Sequence, residues 1–375
     1  MTVYLDNNAT TPLKESVKKA MAEGLEVFGN PSSVHQEGQK ARMALDGARR
    51  SVAGMVGVRA EQVVFTSSGS EANNLAIRGY FARNPEKTLV ISAVEHSCVH
   101  QTALALHHDY GVHIHLLPVD KNGIIDLADL DATLAKHDVG LVSVMHANNE
   151  TGVLQPVSEV AQRLAEKDIL FHVDAVQTAG KMNFSFAETG ADMLTLSFHK
   201  MGGPKGVGAL VMKPGIELSA HTTGGSQERN RRAGTENTLG ILGAGVCAAE
   251  NSNSVRYMQE HIKPLRDTME GELKKLSNAL IVVGESADRV PNTSNIILPG
   301  VEGETAVMML DLAGFAVSTG SACSSGRVEP SRVILAQGYA PAQALNALRV
   351  SLGWQTSHDD VMGFVKAMQN ILENN

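Results

Sequence analysis

The 375-residue sequence predicts an α/β fold with a mostly parallel central sheet and a smaller α+β domain. Two observations predict it. Short β-branched runs alternate with helix-length periodic segments through the first two thirds of the chain. Near residue 253 the texture changes to a charged helical stretch followed by a second β-rich section, which places a domain boundary there. At about 150 residues per domain, the length accommodates both parts.

In order, helical periodicity marks residues 13–27 and 34–56, and β-branched residues mark a strand at 62–66. A glycine–serine turn then opens a helix over 70–82, completing a strand–turn–helix unit. Apolar runs follow at 88–93, 114–118, 139–145, 170–174, 193–198 and 208–212, most of them separated by segments long enough for a helical crossover. Strands at 279–283 and 293–298 and closing helices complete the second part. Several runs end in polar residues, and in open α/β sheets the ligand lies beyond the carboxyl ends of the strands.

Composition excludes several classes. Hydrophobic residues are 43% and charged residues 19%, ordinary values for a chain that buries a core. Lys+Arg number 32 against 40 Asp+Glu, a net charge of −8, so no overall basic surface exists for nucleic acid or anionic lipid. The first residues, MTVYLDNNATTP, lack a basic stretch followed by an apolar core, and no apolar run approaches the ~20 residues of a membrane span. The cysteines, Cys98, Cys247 and Cys323, are too far apart for a disulfide framework or metal knuckle. A cytoplasmic protein is the expectation.

The turn TSSGSEANN (66–74) places Gly69 and Ser70 at a helix N-terminus, where unpaired N–H groups suit a phosphate, with Glu71 as a capping acid; an ordinary N-cap reads the same way. Asp174 ends an apolar strand, where a lone carboxylate is costly without a cation or donor. A pyridinium nitrogen is one such partner, and a helix-capping role is the other; Gln177 offers an amide to the same ligand. Ser197, His199 and Lys200 end another strand before a glycine-rich turn, where a desolvated lysine amine favours Schiff-base chemistry with an aldehyde cofactor. Lys205 reads as a surface lysine, and the cluster lacks P-loop spacing. In HHDYGVHIH, His113 and His115 alternate as in a strand, without a carboxylate or cysteine at metal-ligand spacing. GAGVCA (243–248) follows no strand and reads as close helix packing around a core Cys247.

With these residues in view, the sequence resembles the class V aminotransferase group of fold-type I PLP enzymes, and within it cysteine desulfurases of the NifS/IscS type. YLDNNATTP, GNPSS, TSSGSEANN, EHSCV, NNETG, SFHKMGGPKGVGAL, ERNRRAGTEN, STGSACSSG and LRVSLG carry the resemblance across nearly the whole chain. It implies a PLP-binding large domain at 13–256 and a small domain formed by 1–12 and 257–375, which carries a mobile Cys323 loop. It further implies that Lys200 binds the cofactor aldehyde and moves the substrate Cα proton. Asp174 would hold the pyridine nitrogen protonated, Gln177 would donate to the phenolic oxygen, and His96 would stack on the ring. Gly69, Ser70, Ser197 and His199 would hold the phosphate, with Thr235 reaching that of a neighbouring subunit in a homodimer. Asn30, Asn149 and Arg349 would bind L-cysteine, Asn149 also touching the cofactor. Cys323 would take the sulfur as a persulfide and deliver it to an acceptor such as a U-type iron–sulfur scaffold. No catalytic metal is implied, although Cys323 would be open to a cluster during transfer. Cys98, two residues after His96, is the rival nucleophile.

Overall fold

The computed structural model describes residues 2–319 and 329–373. Strand β1 (Val3–Tyr4) precedes helices α1 (Glu15–Gly24) and α2 (Gln36–Val56). There follow β2 (Val63–Thr66), α3 (Gly69–Phe81), β3 (Thr88–Ser92), α4 (Ser97–Tyr110), β4 (Ile114–Leu117), α5 (Leu127–Lys136) and β5 (Val139–Met145). Then come α6 (Val157–Leu164), β6 (Leu170–Asp174), α7 (Phe186–Thr189), β7 (Met193–Ser197) and β8 (Gly208–Met212).

Seven of these strands form one sheet in the order β2-β8-β7-β6-β5-β3-β4. The pairs from β4 through β7 are parallel, and β8 runs antiparallel to both its neighbours. Strands covered on both faces read as continuous apolar runs, and β3, β5 and β7 are buried at every position. The edge strand β4 is only half-buried and admits His115. Two hydrophobic cores flank the sheet, one containing Val52, Val142 and Phe198, the other Leu75, Ile91 and Leu141.

Beyond β8 the chain forms α8 (Gln227–Asn230), α9 (Thr238–Ala249), α10 (Asn251–Tyr257) and α11 (Lys263–Leu276), then β9 (Ile281–Val282) and β10 (Thr293–Ile297). Helix α12 (Gly303–Leu312), β11 (Phe315–Ala316), α13 (Arg332–Ala336), α14 (Pro341–Leu345), β12 (Ala347–Ser351) and α15 (His358–Glu373) follow. Strands β12, β10 and β9 make an antiparallel sheet over a separate core that includes Leu5, Ile296, Leu348 and Phe364. Strand β1 pairs with β11, so the N-terminus joins this second part.

Helix α9 packs directly on α2. A Cβ at Gly245 would stand 2.6 Å from the Cα and Cβ of Ala48, and no larger side chain fits that approach. The GAGVCA run is therefore a helix-packing surface, and Cys247 within it is fully buried. Strand β12 has no counterpart in the sequence reading. Its periodicity is broken by Arg349, a cation on a fully buried strand.

Candidate active site

The carboxyl ends of β6 and β7, the first turn of α3 and the loop before α4 enclose a cavity of about 310 Å³. It lies where an open α/β sheet places its ligands. Gly69, Ser70, His96, Asn149, Asp174, Gln177, Ser197, His199, Lys200 and Arg349 all line it.

One end is built for an anion. Ser68 caps α3, its Oγ accepting from the N–H of Glu71 at 3.1 Å, and the first N–H groups of a helix lack intrahelical partners. A Cβ on Gly69 would sit 2.9 Å from Val176 Cγ2 and 3.1 Å from Ser197 Cβ, so glycine keeps this cradle open. Glu71 turns away from it, accepting from Ser67 N at 2.7 Å and pairing with Arg232 at 2.9 Å. His199 sits 3.1 Å from Thr10 Oγ1, and burial, reinforced by Lys200 and Lys205, pushes its imidazole down to about 4. It is a neutral donor or acceptor at physiological pH.

The opposite side is built for a cation. Asp174 is 5% exposed at the end of β6. It accepts from Asn73 Nδ2 at 2.7 Å and from Val176 N at 3.0 Å, both neutral donors, which leaves its charge to a ligand. His96 is the N-cap of α4; its Nδ1 accepts from Cys98 N at 3.2 Å, which assigns the ring proton to Nε2. Burial lowers its pKa, with Asp174 opposing.

Lys200 closes a 3₁₀ turn after β7 and donates from Nζ to the carbonyls of Asn8 at 2.6 Å and Ala9 at 2.7 Å. Burial, and then Arg349, lower its pKa to about 8. At the far end Arg349 donates from Nη1 to Asn149 O at 3.2 Å and from Nη2 to Asp6 at 2.7 Å, while its Nε is buried without a partner.

These features fit a phosphorylated pyridine aldehyde: an uncharged anion cradle held open by glycine, a carboxylate with spare charge, and an amine of depressed pKa. Two expected residues stand elsewhere, and a third is not described. Thr235 lines a separate hollow of about 90 Å³ with Ser67 and Arg232. Asn30 is exposed, its side chain accepting from Ser32 N at 2.9 Å. Cys323 lies outside the described residues. Asn73, Asn8 and Lys181 were not singled out by sequence reasoning. Asn73 and Asn8 stand inside the quoted motifs TSSGSEANN and YLDNNATTP, but polar residues there read as turn chemistry until the fold buries them.

Cys98 also lines the cavity, 3.0 Å from His96 Nδ1 and 3.1 Å from Asn73 Nδ2. Burial pushes its thiol up to about 12, so it is protonated and a poor nucleophile. The histidine run acquires a carboxylate that the sequence did not suggest, since His115 Nε2 meets Asp129 of α5 at 2.6 Å. His113 instead stacks on His137 at 4.8 Å between ring centroids. Among the described residues no group of three or more His, Cys, Asp or Glu is arranged to hold a metal.

A family profile described as aminotransferase class-V matches residues 3–364. The cysteine desulfurase IscS of Dictyoglomus turgidum is 41% identical over 99% of this chain and 94% of its own. Among solved structures, a NifS-like protein superposes with a TM-score of 0.93 at 33% identity, covering 100% of both chains. A structure of SspA in complex with cysteine gives a TM-score of 0.82 at 31% identity, covering 95% of this chain and 100% of that one. Among the described residues no helix is long and apolar enough to cross a membrane.

Proposed function

The chain belongs to the aminotransferase class-V family, and from that premise we propose that it is a PLP-dependent cysteine desulfurase, converting L-cysteine to L-alanine and passing the sulfur to Cys323 as a persulfide. The observation that carries this reading is the convergence of Lys200, Asp174 and Arg349 on one cavity beside a glycine-held anion cradle. PLP, when bound, supplies an electron sink conjugated to the α-carbon of an amino acid.

The chain's own groups do the rest. Gly69, Ser70, Ser197 and His199 would hold the phosphate, and Asp174 would pair with the ring nitrogen. His96, neutral with its proton on Nε2, would lie against the ring. Lys200, partly neutral near pH 8, would hold the cofactor through its amine and move the proton at the substrate's α-carbon. Arg349 and Asn149 hold the substrate carboxylate. The Cys323 thiolate attacks the substrate sulfur; the C–S bond breaks, its electron pair stays with the β-carbon, and protonation there yields the methyl group of alanine.

Purified protein is expected to show a visible cofactor band and to release alanine and sulfide from L-cysteine with a thiol reductant. A yellow protein that makes no alanine would overturn the substrate assignment. Arg349→Ala is expected to lower kcat/KM for cysteine by about 10²-fold, mainly through KM, since it removes a charge-assisted fork; an unchanged KM would remove Arg349 from substrate binding.

The reading extends to a homodimer in the cytoplasm that hands sulfur to a scaffold for iron–sulfur clusters or to synthesis of thio-cofactors or thio-nucleosides. Leu25, Phe28 and Val34 on the loop between α1 and α2, and Met43 on α2, support a dimer, being 67–88% exposed. Thr235, apart from its own cavity, is then available to a neighbouring one. The separate cores support two domains divided at 13–256 against 1–12 and 257–375.

A further inference from the structure

Lys181 is 1% exposed, among the largest fully buried side chains of the protein. Its Nζ donates to Asn8 Oδ1 at 2.7 Å and to Gln177 Oε1 at 2.6 Å, and both acceptors are neutral amides. The charged groups that act on it, Lys200 and Arg349, repel it. Burying a lysine without an acid is unfavourable for the fold, so its presence beside the cavity calls for another reason.

An amide side chain has nearly the same shape in either orientation, and its partners decide which end faces where. A lysine ammonium offers only donors, so the Gln177 oxygen must face it. The Gln177 Nε2 then points the other way, where it donates to Asn8 O at 3.2 Å on the wall of the cavity. Asn8 is held by the same logic: its Oδ1 takes Lys181 and Asn292 Nδ2, and its Nδ2 donates to Thr293 Oγ1 at 2.8 Å. The carbonyl of Asn8 in turn receives Lys200 Nζ.

We infer that Lys181 is a positioning residue for the cofactor ring, holding the Gln177 amide with its oxygen outward and its N–H groups toward the ring's phenolic oxygen. The inference rests on the PLP reading and adds to it the residue that sets the direction of this donor. Burial pushes the Lys181 ammonium well below its usual range. A neutral amine keeps two N–H groups for its two acceptors but gains a lone pair, and the Gln177 orientation is then also held by the Asn8 carbonyl, which accepts from Nε2 and offers no donor.

The test is the pH midpoint of the visible band in the purified holoenzyme, read with thermal melting of each variant. Asp174, His96, Lys200 and Arg349 also line this cavity and are unaltered in every variant, so they form a common background. Losing a donor to an ionised oxygen raises its pKa. Lys181→Met is therefore expected to raise the midpoint by about one unit, Gln177→Leu by a similar amount, and the double variant by no more than either alone. If Lys181→Met does not fold, Lys181→Gln is read in its place, with a smaller rise expected. A lower melting temperature with an unmoved midpoint, or two shifts that add, would overturn the role. A native protein without a visible band removes the PLP reading and this role together, whereas a normal native band with unmoved variants removes only the role.

Discussion

Cys323→Ser is expected to keep the visible cofactor band and melting temperature of the native protein while losing alanine formation from cysteine by on the order of 10³-fold or more, the scale of removing an obligatory nucleophile. The transfer joins two sulfurs, and a serine hydroxyl is neither ionised near neutrality nor soft enough to replace a thiolate. The chain has only two other candidates. Cys247 is buried in α9, donates to Met201 O at 3.1 Å, and burial pushes it up to about 12. Cys98 lies inside the cavity, yet burial raises it to the same value, and Asn73 and His96 already occupy its sulfur. Cys98→Ala is therefore expected to leave persulfide formation intact when trapped with an alkylating reagent and located by mass spectrometry. Normal alanine production by Cys323→Ser, or a persulfide mapped to Cys98, would overturn the assignment.

The central sheet was legible because strands covered on both faces read as largely apolar runs, and β5, β6 and β8 fall on the residues those runs mark. Residues at strand ends were legible for a related reason: a carboxylate such as Asp174 or an amine such as Lys200 at the end of an apolar run is costly unless chemistry or a partner uses it. What joins distant segments was not. Strands β1 and β11 are two residues each and exist through pairing across the length of the chain. Asn8 meets Lys181 and Lys200 only because the N-terminal segment crosses the mouth of the sheet. The Asp174–Asn73 bond depends on how α3 seats against β7 and β8, which no local pattern encodes. The carboxylate opposite His115 was hidden likewise, since His115 is on β4 and Asp129 comes from helix α5.

Lys200→Ala is expected to abolish covalent attachment of the cofactor and to lower turnover by at least about 10²–10⁴-fold, the range for loss of a positioned acid–base group. Borohydride reduction of the native protein followed by peptide mass spectrometry should place the cofactor's mass on Lys200 and leave the variant unlabelled. The depressed pKa supplies the reason and its sign. An amine reacts with an aldehyde only when neutral. With Lys200 at about 8, roughly a quarter of it is neutral at pH 7.5, against about one part in a thousand for an ordinary lysine. Burial, helped by Arg349, disfavours the ammonium, so capture by the apoprotein should quicken as pH rises and level off above about 8. Lys181 offers the alternative, a second buried lysine nearby, but its two amide acceptors at 2.6 and 2.7 Å already engage the amine. A reduced adduct on Lys181, or a capture rate flat between pH 7 and 9, would overturn the role of Lys200, and the adduct would overturn the positioning role of Lys181 as well.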